Sequence, residues 1–337
     1  MVKGGKSLST VPKIALVGCG YWGKNLCRNF HTLGALSAVV DSTEKGQVTA
    51  RSITSDVLIT DNFEDILGDE QIQGIALATP AETHADLAIQ AIHAGKDVFV
   101  EKPMALSISD AETMQKVANE TDRILMVGHL LEYHPAILKL RKLIDSGELG
   151  KIKYVYSNRL NFGKVRTEEN ALWSFAPHDV AVILRLLGQS PIQVSASGGS
   201  YLTKGIADVT VSNLRFADNS RAHIFVSWLH PFKEQRLVVV GDKKMAIFND
   251  VNAFGEKLCV YPQSVEFDGN FPILKKEDAE FIEHADTEPL REECAHFLDC
   301  IITRNAPLTD ASSGIETLKV LHACQSSIEQ NGTPINL

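Results

Sequence analysis

Five short apolar runs punctuate the first 130 residues, at positions 13–17, 36–40, 74–78, 97–100 and 124–127. None alternates with polar residues, the pattern of strands buried on both faces of a parallel sheet. Amphipathic stretches lie between them. Over 85–92 the apolar positions form one wide helical stripe, and Gly95 stands where a C-terminal cap belongs. This alternation predicts an α/β domain, a doubly wound parallel sheet, over residues 1–128. After Gly150 the period changes. Ile152, Tyr154 and Tyr156 are spaced by two, and strand-like runs follow at 192–197, 209–216, 221–228, 236–240, 245–248 and 257–261. Gly198-Gly199, Asp218-Asn219, Gly241-Asp242 and Asn249-Asp250 supply turns between them. The prediction is an α+β domain over 129–337 with a large, mostly antiparallel sheet covered on one face. Helical patterns begin at about Pro177 and return over 291–303 and 311–330.

Composition agrees with this picture and narrows it. The 337 residues are 44% hydrophobic and 22% charged, which excludes a disordered, collagen-like or coiled-coil chain. The net charge of −9 argues against nucleic acid as a partner. No apolar run approaches the ~18 residues of a membrane span, and residues 1–10 are polar with no apolar core for secretion. A cytoplasmic protein without a membrane partner is expected. The six cysteines form no C-x-x-C pair and no zinc spacing, so they are read as reduced thiols and no metal is expected.

Chemistry enters at Gly18-Cys19-Gly20-Tyr21-Trp22-Gly23, a G-x-G-x-x-G between a predicted strand and a predicted helix. The first glycine permits a tight turn, the second a close backbone approach to a pyrophosphate, and the third close helix–strand packing. Asp41 ends the second run 18 residues later, where a carboxylate accepts from a ribose diol and repels a 2′-phosphate. The expected cofactor is NAD in preference to NADP. Ala78-Thr79-Pro80, followed by His84, and Glu101-Lys102-Pro103 close two further runs at the sheet edge where such folds place ligands. Lys102 there can polarise or help deprotonate a substrate hydroxyl.

The glycine loop, Ala78-Thr79-Pro80 with His84, Glu101-Lys102-Pro103 and the β-rich second half together resemble the Gfo/Idh/MocA oxidoreductase family. The resemblance implies a Rossmann domain, NAD(P)-dependent oxidation of sugars, cyclitols or nucleotide sugars, and a second domain that builds the substrate pocket and often the oligomer interface. It places Gly18, Gly20, Tyr21, Trp22, Gly23, Asp41, Ala78, Thr79, Pro80, His84, Glu101 and Lys102 at the cofactor, with Lys102 beside the nicotinamide. It also implies a catalytic histidine at His178. The family often has Asp one helical turn before that histidine, but this chain has Ser174. What orients His178 is therefore left open.

The segment 158–166 carries Arg159, Asn161, Lys164 and Arg166, which suit an anionic substrate. Together, Gly18-Cys19-Gly20-Tyr21-Trp22-Gly23-Lys24-Asn25, Ala171-Leu172-Trp173-Ser174-Phe175-Ala176-Pro177-His178-Asp179 and Ser227-Trp228-Leu229-His230-Pro231 resemble a branch that oxidises C3 of a UDP-amino sugar, UDP-N-acetylglucosamine, ahead of an aminotransferase. Arg159, Asn161, Lys164, Trp173 and Ser174 are the expected substrate contacts, together with Lys102 and His178. The corresponding uronate, another sugar or cyclitol, and a non-catalytic NAD-binding sensor stay open as alternatives. A sheet face without helices implies a homodimer or homotetramer.

Overall fold

The computed structural model describes residues 11–337; the polar segment 1–10 lies outside the described residues. The chain divides into two compact units. One comprises the residues up to Gly128 together with Glu288–Ile315, the other His129–Thr287 together with Glu316–Leu337. No helix among the described residues is long and apolar enough to cross a membrane.

In the first unit, β1 (Ile14–Val17), β2 (Leu36–Val40), β3 (Leu58–Thr60), β4 (Gly74–Leu77), β5 (Asp97–Glu101) and β6 (Leu125–Gly128) form one parallel sheet in the order β3-β2-β1-β4-β5-β6. β3 escaped the sequence reading because it has three residues and lies at the edge, where burial does not enforce an apolar run. The connecting helices are α1 (Gly23–Thr32), α2 (Glu44–Ile53), α3 (Phe63–Gly68), α4 (His84–His93) and α5 (Ile108–Glu120). Side-chain caps set three of their starts: Thr43, Asn62 and Ser107 accept from backbone N–H groups of α2, α3 and α5. Strand order reverses between β1 and β4, so the carboxyl ends of these two strands open the crevice in which such sheets bind ligands.

The second unit opens with α6 (Pro135–Asp145), β7 (Ile152–Phe162) and α7 (Ala171–Leu187). Then come β8 (Gln193–Gly199), β9 (Val209–Arg215), β10 (Arg221–Ser227), β11 (Leu229–Gly241), β12 (Met245–Asn249), β13 (Leu258–Tyr261), β14 (Ser264–Asp268), β15 (Phe271–Lys275) and β16 (Glu280–Phe281). Two helices and a strand close the chain: α8 (Pro289–Thr303), α9 (Ala311–Glu329) and β17 (Ile335–Asn336). The large sheet runs β16-β13-β12-β11-β7-β10-β9-β8-β17 and is antiparallel except where β10 meets β7. One face buries Val155, Ile224, Val226, Leu237 and Val239 with Val180, Ile183, Val320 and Leu321 of the helices. The other leaves Tyr154, Tyr156 and His223 stacked, with Tyr156 and His223 rings 5.1 Å apart and 4° from parallel. The apolar alternation of β7 thus marks its open side at Tyr154 and Tyr156.

Two sequence expectations are corrected. The second domain does not extend unbroken over 129–337, because 288–315 returns to the first unit. Phe297 of α8 meets Phe30 and Phe99 edge-on at 6.4 and 5.9 Å, completing an aromatic core that β5 and α1 cannot close alone. α7 starts at Ala171 rather than near Pro177. Asn170 caps it, and Pro177 is tolerated inside the helix.

Candidate active site

The glycine loop leaves β1 and enters α1. Gly18 has φ +91°, and a Cβ there would lie 2.8 Å from the Ala78 carbonyl oxygen. A Cβ on Gly23 would lie 2.0 Å from the Gly18 carbonyl oxygen. Both positions therefore require glycine, one for conformation and contact, the other for contact. Gly20 differs: nothing stands within 4 Å of its would-be Cβ. Its backbone faces open space, as close approach of a pyrophosphate demands. No side chain caps α1, so its N-terminus offers N–H groups and partial positive charge to an anion. A cavity of about 390 Å³ between this loop and the β2–α2 turn is lined by Cys19, Gly20, Lys24, Thr43 and Lys45, among others. Tyr21 lines it too, with the Lys24 ammonium 5.6 Å from its ring centre. These features fit a dinucleotide.

Asp41 follows β2 and is buried. Its Oδ2 accepts from Cys19 N–H at 2.7 Å, and its Oδ1 from Thr43 N–H and Oγ1 at 2.9 and 2.7 Å. Burial would raise its pKa, but these three donors hold it below the usual carboxylate range. Asp41 thus ties the glycine loop to the β2–α2 turn. A Cβ on Gly46 would lie 2.0 Å from its carboxyl group, so only glycine lets α2 start there.

The remaining first-unit residues divide by burial. Thr79 and Pro80 follow β4, where Thr83 Oγ1 donates to Thr79 Oγ1 at 2.7 Å. His84, expected at the cofactor, is 1% exposed. Its Nδ1 lies 2.9 Å from the Pro103 carbonyl oxygen and its Nε2 3.0 Å from that of Thr79. The imidazole staples two sheet-edge loops together. Glu101 is held by hydrogen bonds of its own. Its buried carboxyl accepts from the Trp22 indole N–H at 2.5 Å and from Lys102 N–H at 3.3 Å. Burial pushes it up to about 7, against the lowering effect of Trp22 and of the Lys102 charge. Trp22 and Glu101 so form one joint between the glycine loop and the strand end that presents Lys102. Lys102 itself is half-buried.

The other expected residues lie in the second unit. α7 carries Ser174, buried, and His178, half-buried, four residues apart and hence on one helical face. The intervening proline does not interrupt the helix, so the serine occupies the position from which a carboxylate would orient the imidazole. Arg159, expected as a substrate cation, sits in an ion pair. Its guanidinium donates to Asp179 through Nε at 2.8 Å and Nη2 at 3.2 Å, with side chains 14% and 1% exposed. Ser157 Oγ adds a third donor at 2.6 Å. Arg159 thus clamps β7 to α7. Trp173, expected as a substrate contact, packs α7 on α9: its ring meets His322 edge-on at 5.0 Å and its N–H donates to Gln325. Arg166 pairs with Glu168 and Glu169. Asn161 is half-buried and Lys164 exposed. Asp179 was missed as a fixing residue, since its partner lies 20 positions away and only strand–helix packing joins them. The Trp22–Glu101 joint, spanning 79 positions, was missed for the same reason.

Family models, known relatives and solved structures all match this chain. Residues 12–129 match the oxidoreductase family with NAD-binding Rossmann fold, and residues 137–247 match the GFO/IDH/MocA C-terminal domain. A 2,7-anhydro-N-acetylneuraminate hydratase of Mediterraneibacter gnavus is 28% identical over 68% of this chain and 65% of its own length. A scyllo-inositol 2-dehydrogenase (NAD(+)) of Bacillus subtilis is 25% identical over 96% of both chains. A UDP-N-acetylglucosamine 3-dehydrogenase of Acidithiobacillus ferrooxidans is 22% identical over 94% of this chain and 97% of the relative. Its solved structure superposes with a TM-score of 0.83 over 94% of this chain and 97% of that one. GenD2 from gentamicin A biosynthesis, solved with NAD, superposes at 0.82 over 100% of this chain and 99% of that one, with 20% identity.

Proposed function

Because the chain belongs to the Gfo/Idh/MocA family of NAD-binding oxidoreductases, we propose that it oxidises a secondary alcohol of a nucleotide sugar, at C3 of UDP-N-acetylglucosamine. The observation that carries this reading is the full-length relation to a UDP-N-acetylglucosamine 3-dehydrogenase, in a chain that keeps Lys102 and His178. NAD, when bound, accepts the hydride. The glycine loop and the α1 N-terminus hold its pyrophosphate. Lys102 polarises the substrate hydroxyl, and His178 takes the hydroxyl proton as the carbonyl forms. Ser174 cannot balance an imidazolium as a carboxylate would. The 3-keto product then suits an aminotransferase downstream. The open sheet face supports a homodimer or homotetramer.

The test is incubation with NAD and UDP-N-acetylglucosamine or its uronate, plus an aminotransferase and glutamate, with the product identified by mass. An amino sugar 1 Da lighter than its parent is expected, since NH₂ replaces OH. No product from either sugar refutes the nucleotide-sugar assignment. The hydratase relative favours a second reading, addition or removal of water without net oxidation. Absorbance at 340 nm separates the two, because only a dehydrogenase accumulates NADH.

A further inference from the structure

A second cavity, of about 340 Å³, belongs wholly to the first unit and lies at the end of its sheet opposite the glycine loop. Gln73 precedes β4, Lys96 precedes β5, which Asp97 opens, and Arg123 precedes β6, so the amino ends of three strands wall it. Arg304, just beyond α8, completes the wall, and the exposed Glu70 lines it as well. Sheets of this kind hold their cofactor at the carboxyl ends of the strands, so this cavity is separate from the dinucleotide crevice.

Its charges do not cancel. Asp97 is buried, and its Oδ1 accepts from Ile124 N–H at 2.8 Å while its Oδ2 accepts from Arg304 Nη1 at 2.6 Å. That ion pair is neutral as a whole. Lys96 is 4% exposed, and its ammonium donates to the carbonyl oxygens of Asp69 and Ile72 at 2.6 and 2.9 Å. These carbonyls follow α3, where a cation is favoured, yet they take two of three N–H groups and neutralise no charge. Among the described residues no carboxylate pairs with Lys96, and the half-buried Arg123 enters neither an ion pair nor a side-chain hydrogen bond. Burial lowers the Lys96 pKa against the pull of Asp69 and Glu70, as befits an ammonium whose counter-charge is not in place. Two uncompensated cations therefore line one cavity, with only the solvated Glu70 against them. We propose that this cavity binds a phosphoryl group, of inorganic phosphate or of a phosphate ester, on the Arg123 guanidinium and the remaining N–H of Lys96. A planar guanidinium engages two oxygens at once; a phosphoryl group keeps a third for the ammonium, and a carboxylate has no third. The site does not depend on which alcohol the enzyme oxidises.

Calorimetric titration of the whole protein with inorganic phosphate, methyl phosphate and acetate tests it, with NAD saturating so that the glycine loop is filled. At least one of the two phosphates is expected to bind at millimolar concentration or below, and acetate about 10-fold or more weakly. Tighter binding of methyl phosphate assigns the site to phosphate esters, tighter binding of inorganic phosphate to the free ion. Arg123→Ala should weaken the phosphate about 10-fold or more, as loss of a charge-assisted hydrogen bond does. Arg123→Lys should recover part of that loss, and Glu70→Gln should tighten binding about 2-fold or more by removing a repelling carboxylate. NAD affinity and thermal melting without phosphate should match wild type in all three variants, which shows that they are folded. If neither phosphate binds, if acetate binds as well as they do, or if Arg123→Ala binds them as tightly as wild type, the proposal is overturned. NADH formation from the sugar substrate reports on the proposed reaction alone, so the two readings fail separately.

Discussion

Glu101 illustrates how one side chain carries both structure and a pH signature. Its carboxyl lies in a buried joint with Trp22 and is pushed up to about 7 by burial. A carboxyl raised above its unfolded value favours the folded state fully below the unfolded pKa and loses that advantage as pH climbs through 7. Gln, which keeps an acceptor for the indole, has no such loss. Glu101→Gln should therefore unfold later than wild type at pH 8, by on the order of 2–3 kcal/mol, and by little at pH 4.5. Denaturant midpoints at the two pH values check this; an equal difference at both would show that Glu101 is not desolvated. For the proposed proton-handling groups the readout is turnover. Lys102→Ala and His178→Ala should each keep NAD affinity and lose about 10²-fold or more in kcat. Near-normal kcat in either variant would remove that residue from the mechanism.

At the scale of elements, α7 is the decisive one, because it bears Ser174 and His178 in register and is bound to β7 through Asp179. Removing one partner of a buried ion pair leaves a desolvated charge, so Asp179→Ala should cost about 3–5 kcal/mol. Urea unfolding of the second unit, followed by its tryptophans, checks this; a loss under 1 kcal/mol would mean water reaches the Arg159 guanidinium. Ser174→Asp tests the same helix from the other side. A carboxylate one turn before an imidazole stabilises its charged form. The acidic limb of the pH–rate profile should accordingly move to higher pH, and an unmoved limb would place residue 174 away from His178. The glycine loop shows the limits of pattern at this scale. Its spacing announced a dinucleotide turn, but the same motif could not say that Asp41 would be held by Cys19 and Thr43.

For the whole molecule, the open sheet face leads to assembly. Tyr154, Tyr156 and His223 form a stacked row there, flanked by half-buried Phe225, Val240 and Ile247. A second copy is the proposed cover, with closed symmetry. Light scattering should give a dimer or tetramer at micromolar concentration, and Tyr156→Glu should shift it toward the 36.9 kDa chain by burying an unpaired charge in the contact. A wild-type protein that scatters as a single chain would refute the assembly.

What the sequence determined by itself was local. Hydrophobic period separated the parallel sheet from the antiparallel one, since period depends only on which faces each strand buries. The glycine spacing marked the dinucleotide loop, because the turn's own sterics demand those residues. Lys102 and His178 were legible as motif positions. Tertiary structure decided which polar residues remain available for chemistry. Arg159, Trp173, Glu101 and His84 all read as ligand contacts in one dimension. In three, each is taken up by a partner distant in sequence: Asp179, Gln325, Trp22 and the Pro103 carbonyl. A buried polar group must satisfy its hydrogen bonds within the fold, and the identity of that partner is a property of packing, which no spacing along the chain encodes.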